Sequence, residues 1–386
     1  MPITSASLSA TLIVRDEEQV LEACLTSLRT VVNEIIVVDT GSVDRSAELA
    51  ADLGAKVFHF DWCDDFAAAR NFAIEQASCA WFLYIDADER VRAAHCDALR
   101  SALSAPDGLA GTVRFYPRTG FTAYREYRLY RRDPRLRFEG RVHETMLPEV
   151  NRLVAAGGAR ILDCDLTIDH IGYDGPQTHK AERYLRLLAQ ATEASPTRVY
   201  LWWHLGCIQR ELGRIDEAEA SWLHGLALAR AKGRHNGDDC LCHVELIKLD
   251  FARGGDAAEL IDEGRSLRPD NHLLQWFEAK SLMRRARFTD AAALFVGLAA
   301  IDADELVAEN AYDKRIFGAG AAARAADCTF RAGDYLEAAR WYEVAEREAP
   351  DPAEFRTKRL LAEMRGGRAG QRPGPDHEEW RKTDPT

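Results

Sequence analysis

The chain has 386 residues, 47% of them hydrophobic and 29% charged, with a net charge of −12; that suits two or three ordinary globular cores. The acidity excludes a general nucleic-acid binder, because phosphate backbones need a basic face. Nine cysteines, an odd number without a Cys-x-x-Cys pair, exclude a zinc ribbon or disulfide framework and read as reduced thiols. No run of about 18 apolar residues is present to span a bilayer. The N-terminus shows no signal peptide, and a cytoplasmic protein is expected.

Leu8 to Val14 reads as a buried strand ending in Arg15, Asp16 and Glu17. Val20, Leu21, Cys24, Leu25 and Leu28 then recur at helical spacing. Ile35 to Val38 is a second short strand ending on Asp39. Val43 to Leu53 is a second helix closed by Gly54, and Lys56 to Phe60 a third strand. This β-α-β-α-β order with short loops builds a mostly parallel, doubly wound, Rossmann-like sheet. A helix from Phe66 carries Arg70 and Asn71 in its second turn. Trp81 to Ile85 follows as an aromatic-rich strand buried on both faces, running into Asp86, Ala87, Asp88 and Glu89. A helix is expected over Arg92 to Leu103. Strands are expected over Leu109 to Tyr116, Tyr124 to Arg132 and Ile161 to Ile171, with Phe138 to His143 between the last two.

From about Gly172 strand signals vanish and alanine-rich helical periodicity takes over. Gly213-Arg-Ile-Asp-Glu-Ala218 is echoed around Ala257, Ala291 and Ala338. The alanine steps are 39 (218 to 257), 34 (257 to 291) and 47 (291 to 338). The middle step is the tetratricopeptide period. Trp202-x-x-Leu205-Gly206, Trp222, Pro269 and Pro350 fall in register with that repeat. The expected organisation is an α/β domain over 1–172, an all-α tetratricopeptide-like solenoid over 173–365, and a disordered tail over 366–386, rich in Gly, Pro and charge. The connection at Gly172 is short. The first helix, Lys180 to Glu193, should therefore dock beside His143 and His170 through Tyr184, Leu187, Leu188 and Ala191.

The carboxyl edge of such a sheet is where ligands bind. Here it gathers Asp16, Glu17, Asp39, Asp64, Asp65, Asp86 and Asp88. Asp86-x-Asp88 offers hard oxygens that suit Mn²⁺ or Mg²⁺ with a diphosphate. No Gly-x-Gly-x-x-Gly, Gly-x-x-x-x-Gly-Lys or Gly-x-Ser-x-Gly motif follows a strand, which disfavours dinucleotide, P-loop and hydrolase readings. Carboxylates, one arginine and a cation suit a nucleoside diphosphate.

The blocks TLIVRDEEQVLEACLTSL, EIIVVDTGSVDRSAELA, WCDDFAAARNFAIEQA and WFLYIDADE, in that order over residues 8 to 90, resemble a family 2 glycosyltransferase of the GT-A fold. Arg128 to Glu144 resembles the acceptor-side block of the subgroup that carries tetratricopeptide repeats, which includes peptide S-glycosyltransferases similar to the sublancin enzyme. The resemblance implies an inverting transfer from a UDP-sugar to a peptide, protein or glycan acceptor, with Mn²⁺ or Mg²⁺. The repeats would serve acceptor recognition or self-association. It places Val14, Asp16, Glu17, Asp39, Arg70, Asp86, Arg128 and Arg141 around the nucleotide sugar. Asp88 and Asp86 would hold the metal, with His143 favoured over its rival His170 as the further ligand, and Glu144 would be the general base. Glu89, Glu139 and Asp169 are the other candidate bases. The family usually has Asn-Glu where this chain has Asp16-Glu17, which turns a donor–acceptor into an acceptor. His143 and Glu144 can both face the site only if a turn lies there. The alternatives are a non-catalytic scaffold whose repeats are the working part, and a nucleotidyltransferase, which would carry a glycine-rich basic loop after the first strand.

Overall fold

The computed structural model describes residues 6–172, 178–232, 237–349 and 351–369. They fall into two compact units. The first comprises residues 1–253 with 266–268 and 304–313, and the second the remainder from 254 onward.

The first unit opens as the sequence dictates. Strand β1 (Leu8–Val14), helix α1 (Glu18–Leu28), β2 (Glu34–Asp39), α2 (Ser46–Asp52), β3 (Lys56–His59), α3 (Phe66–Gln76) and β4 (Trp81–Tyr84) follow in order. These four strands are parallel in the order β3-β2-β1-β4. Leu8, Ala10 and Leu12 of β1 are fully buried, as are Ser9 and Ile36 on its own and the neighbouring strand, so apolar runs without alternation mark strands covered on both faces. Leu21, Cys24, Leu25 and Leu28 of α1 cover one face, and Ala73 and Ala77 beside the end of α3 cover Ile36 and Val38 on the other.

The second half of the sheet is mixed. It comprises β5 (Glu89–Ala94), α4 (Cys96–Leu103), β6 (Gly108–Tyr116), β7 (Ala123–Arg131), α5 (Leu147–Ala155) and β8 (Arg160–His170). The order continues β4-β7-β6-β8-β5, with β7 antiparallel to β4 and β5 antiparallel to β8. One expectation is corrected here. The helix expected from Arg92 starts only at Cys96, because the long β8 offers residues 89–94 a strand partner, pairing Glu89 with His170 and Val91 with Ile168. Residues 138–145 form no strand. They make a turn closed by the Glu139–Thr145 bridge, with Gly140 at φ 96° and His143 at φ 50°. Helix α5, which sequence pattern leaves unassigned, follows the turn.

Helices α6 (Thr178–Ala194), α7 (Val199–Glu211), α8 (Ile215–Ala231) and α9 (Leu241–Ala252) complete the first unit. Leu187, Leu188 and Ala191 of α6 and Leu201 and Leu205 of α7 bury Val142 of the turn. The first helical pair is thus packed directly on the loop that follows β7. A two-residue strand, β9 (Val307–Ala308), pairs with β7.

The second unit holds α10 (Ala258–Leu267), α11 (His272–Arg284), α12 (Phe288–Ala299), α13 (Gly318–Ala332), α14 (Tyr335–Glu348) and α15 (Ala353–Ala369), with successive helices from α11 onward packed on one another. Ala291, Ala321, Ala325, Ala338 and Ala345 are fully buried; small side chains let these helix axes approach closely. Ala218, Ala291 and Ala338 each sit four residues into their helix. Ala257 does not: it precedes α10 in a left-handed conformation, φ 50°, and buried Ile261 takes the equivalent place. The first echo of the repeat is therefore out of register. Residues 366–369, placed in the tail by composition, are the end of α15; the rest of the tail and Pro350 lie outside the described residues.

Gly206 marks a close approach of α7 to α8. A Cβ there would lie 2.6 Å from Cδ1 of Trp222, whose ring is buried and whose Nε1 donates to the Trp203 carbonyl at 3.1 Å. Alanine is the better helix former by about 1 kcal/mol, but overpacking a fixed ring costs about 1–3 kcal/mol. Gly206→Ala is expected to lower the urea midpoint of the first unit despite the gain in propensity, read by far-UV circular dichroism.

Candidate active site

The ends of β1 and β4 leave Val14–Glu17 and Asp86–Asp88 on one side of a cavity of about 820 Å³. Glu126, Tyr127 and Arg128 of β7, the His143–Thr145 turn and His170 at the end of β8 line it further. Tyr184, Arg198 and Tyr200 from α6 and the start of α7 close the remaining wall.

The floor is built on Tyr84. The guanidinium of Arg70 lies 4.9 Å, and that of Arg128 4.6 Å, from its ring centroid. Arg70 reaches the floor because Asp65 caps α3, accepting from the Ala68 amide at 2.9 Å, and so fixes where the second turn points. One Arg70 nitrogen donates to Asp86 Oδ1 at 2.8 Å, and Nε donates to Glu144. Burial opposes the Arg70 charge, but Asp86 and Glu144 more than offset it and raise its pKa. Burial likewise works against the Asp86 carboxylate, and Arg70 reverses that and keeps it ionised. Arg128 is 7% exposed and pairs with Glu89 at 2.7 Å. Burial pushes Glu89 up to about 7, and Arg128 opposes the rise. The other Glu89 oxygen accepts from the Asp86 amide at 2.9 Å, fixing the acidic turn. After these bonds, one nitrogen of Arg70 and two of Arg128 remain buried without a partner among the described residues. Buried donors of this kind require a ligand or water.

On the far side of the acidic turn, Asp88 Oδ2 and His170 Nε2 are 3.0 Å apart, and His170 Nδ1 lies 2.8 Å from the Pro117 carbonyl. The hydrogen bond to Asp88 outweighs burial and pushes His170 up to about 9. The β5–β8 pairing makes this contact, since it sets Glu89 opposite His170, and the Ile171 amide donates to the Asp88 carbonyl at 3.0 Å.

Residues 9–165 match the profile of the family described as Glycosyl transferase family 2. They are a family 2 glycosyltransferase domain. Its mixed α/β sheet is followed by tetratricopeptide-like helices. A tetratricopeptide repeat-containing protein of Synechococcus elongatus is 35% identical over 270 residues, 67% of this chain and 64% of that protein. The lipopolysaccharide core biosynthesis glycosyltransferase LpsC of Rhizobium meliloti is 35% identical over 164 residues, 39% of this chain and 60% of LpsC. The prophage-derived glycosyltransferase SunS of Bacillus subtilis is 26% identical over 219 residues, 54% of this chain and 50% of SunS. The chain thus spans between half and just under two thirds of the length of these relatives.

Within the transferase domain the residues expected at the site divide into three groups. Val14, Asp16, Glu17, Arg70, Asp86, Asp88, Arg128, Glu144, His143 and His170 all line the cavity. Asp39 does not line it. Its carboxylate accepts from the Ser42 amide at 3.1 Å and the Gly41 amide at 3.3 Å, shaping the loop after β2. Asp16, at φ 57°, shapes the same region by accepting from the Val43 amide at 2.7 Å. Arg141 is exposed and lines a separate hollow behind the turn, so the turn itself removes it from the nucleotide side. Three neighbouring arginines are held elsewhere: Arg125 pairs with Asp163, and Arg131 and Arg132 donate to backbone carbonyls.

His143 sits among other rings. The turn brings it to the cavity beside Glu144, but its ring stacks on His204 at 3.7 Å and meets Tyr184 and Tyr200 edge-on. Among the described residues no group of three or more His, Cys, Asp or Glu side chains is arranged to hold a metal ion. What the fold does bring together is the pair Asp88 and His170. Tyr84, Glu126, Arg198, Tyr200 and Asp238 also belong to the cavity. They come from four parts of the chain, the end of β4, β7, the start of α7 and the short helix at 237–240, and carry no shared spacing. Among the described residues no helix is long and apolar enough to cross a membrane, and all nine cysteines are free.

Burial pushes His143 down to about 4, assisted by Arg198, and pushes His204 down to about 2, assisted by His143 and Arg198. Both folded values lie below the ordinary 6.5 of the unfolded chain. The folded state therefore binds fewer protons, and stability present above pH 6.5 is lost as the pH falls. The slope is about 1.4 kcal/mol per pH unit for each imidazole. His204→Phe, which keeps the stack but cannot protonate, is expected to flatten the loss of stability between pH 6.5 and 4, measured by urea unfolding at each pH.

Proposed function

We propose that the chain transfers a sugar from a UDP-sugar to an acceptor nucleophile with inversion, assisted by a divalent cation. The observation that carries this reading is the pairing of two unlike charge systems in one cavity. Arg70 and Arg128 keep unpartnered donors in its floor, and Asp88 and His170 meet at its edge. The donors suit diphosphate oxygens. A carboxylate oxygen with an imidazole nitrogen suits Mn²⁺ or Mg²⁺ completed by phosphate and water once the cation has displaced the His170 proton to solvent, so the residues present fit the cation. When bound, it would neutralise charge on the departing diphosphate.

The chain's own residues do the rest. Val14, Asp16 and Glu17 edge the cavity where the nucleoside would enter. Glu144 is the proposed base. Arg70 holds its carboxylate on the cavity wall, so its orientation is set before an acceptor arrives. The proton passes from the acceptor to Glu144 as the bond to the anomeric carbon forms and the bond to the diphosphate breaks. Glu126 is the other carboxylate of the wall; burial pushes its pKa up, and the Arg128 charge opposes this. It suits hydrogen bonding to sugar hydroxyls.

Purified protein incubated with UDP-glucose, UDP-galactose and UDP-N-acetylglucosamine plus Mn²⁺ is expected to release UDP from at least one. Asp88→Asn and His170→Ala should each lower that turnover by at least about 100-fold with unchanged circular dichroism. UDP binding that is equally tight in chelator, measured by calorimetry, would remove the cation from this scheme. Absence of binding to every nucleotide sugar tried would end the transferase reading.

A further inference from the structure

Residues Asp86 to Glu89 hold three carboxylates in four positions, and carboxylates so close repel one another. The turn that carries them is nevertheless fixed at all four backbone carbonyls. That of Asp86 accepts from the Glu89 amide at 3.0 Å and from the Cys24 thiol at 3.4 Å. Burial pushes that thiol up to about 12, against the Arg90 charge, so it stays protonated and can donate. The Asp88 carbonyl accepts from the Ile171 amide. The two that remain, those of Ala87 and Glu89, accept from one nitrogen of Arg90, at 2.7 and 2.6 Å.

Arg90 is half-buried in β5 and is not among the residues that line the cavity, whereas Asp86, Ala87 and Asp88 are. Its second terminal nitrogen donates to the Val20 carbonyl at 2.5 Å. Val20 stands in the first turn of α1, and Val14–Glu17, just before that helix, edge the cavity. One guanidinium thus ties the acidic turn after β4 to the helix after β1 from outside the cavity. It makes no ion pair with a described carboxylate, so its bonds go to main chain. An arginine suits this task, because its planar fork presents several donors in fixed directions and its charge offsets the crowded acids. A side chain without donors at position 90 would leave the carbonyl of buried Ala87 without this partner.

We propose that Arg90 is a positioning residue for the cation: it touches neither the cation nor the nucleotide sugar, and it fixes the main chain of the acidic turn so that Asp88 is held ready beside His170. This role rests on the cation of the transferase reading above and adds the residue that prepares its site. Groups that orient metal ligands from behind contribute about 10–100-fold in metal affinity. Without Arg90 the turn relaxes under the repulsion of its own acids, and binding a cation must first draw Asp88 back into place. The loss therefore falls on cation affinity and not on the transfer step that follows.

The test uses the full chain with UDP and Mn²⁺. Arg90→Met removes the donors, and Arg90→Lys keeps the charge on a single nitrogen. Arg100→Met is the comparison, since Arg100 likewise donates to main chain, at the Ala6 and Val31 carbonyls, and does not line the cavity. By calorimetry, the Mn²⁺ concentration that half-saturates UDP binding should rise by about 10–100-fold in Arg90→Met and by less in Arg90→Lys. It should stay unchanged in Arg100→Met, although both methionine variants lose thermal stability. UDP binding in chelator should be the same in all. Amide exchange over residues 86–89 should quicken in Arg90→Met, and saturating Mn²⁺ should restore its UDP release from a UDP-sugar. If Arg90→Met keeps the wild-type Mn²⁺ requirement, if Arg100→Met shifts it equally, or if saturating Mn²⁺ does not restore turnover, Arg90 only supports the fold. The proposal then falls while the transferase reading stands. Should Arg90→Met not fold, the Mn²⁺ requirement of Arg90→Lys decides in the same way. Wild-type binding of UDP that needs no Mn²⁺, or no binding of UDP at all, ends this proposal together with the cation of the transferase reading.

Discussion

Arg70 is the constraint on which the active site depends. A buried guanidinium is costly unless its charge is matched, and the fold matches it with two acids from remote places. Asp86 comes from the end of β4 and Glu144 from the turn after β7. A single side chain therefore sets the register of a helix, a strand end and a loop. Neither acid can withdraw without leaving part of the buried guanidinium charge uncompensated. One Arg70 nitrogen remains buried and unpartnered among the described residues.

The antiparallel addition of β5 to β8 performs a second, separate task. In a purely parallel sheet the chain would leave the acidic turn along a helix, and Asp88 would face solvent. Because residues 89–94 turn back as a strand, Asp88 is carried to His170, at the far end of an eleven-residue strand. Hydrogen bonds between strands, rather than helix propensity, decide this segment. The carboxylate–imidazole pair is a consequence of that sheet register.

The helices that follow the sheet contribute to the same cavity. Val142 is buried among Leu187, Leu188, Ala191, Leu201 and Leu205, while the next residue, His143, is strained into a left-handed conformation and held by Arg198 and His204. Backbone conformations of this kind persist only where the surroundings over-determine them. The first helical pair supplies those surroundings, which makes it part of the transferase unit and not a module added to it.

Much of this was legible in the residues alone. Apolar runs without alternation gave β1, β2 and β4, because strands covered on both faces have no polar side. Acids placed directly after those runs gave the sheet edge, and Arg70 followed from its position on α3. The alanine and tryptophan spacing gave the helical repeats, although Ala257, before its helix, shows how a short echo can slip out of register. The tertiary structure decided the rest. Whether 89–94 is strand or helix depended on a partner some 75 residues away. Whether His143 and Glu144 share a side depended on a turn that is held by helices α6 and α7. Arg128 and Arg141 look alike in the sequence, and only burial against Glu89 and Tyr84 separates the one in the cavity from the one outside it. Local pattern determines which segments are buried. Which charged side chains then meet is set by long-range pairing, for which a single sequence carries no period.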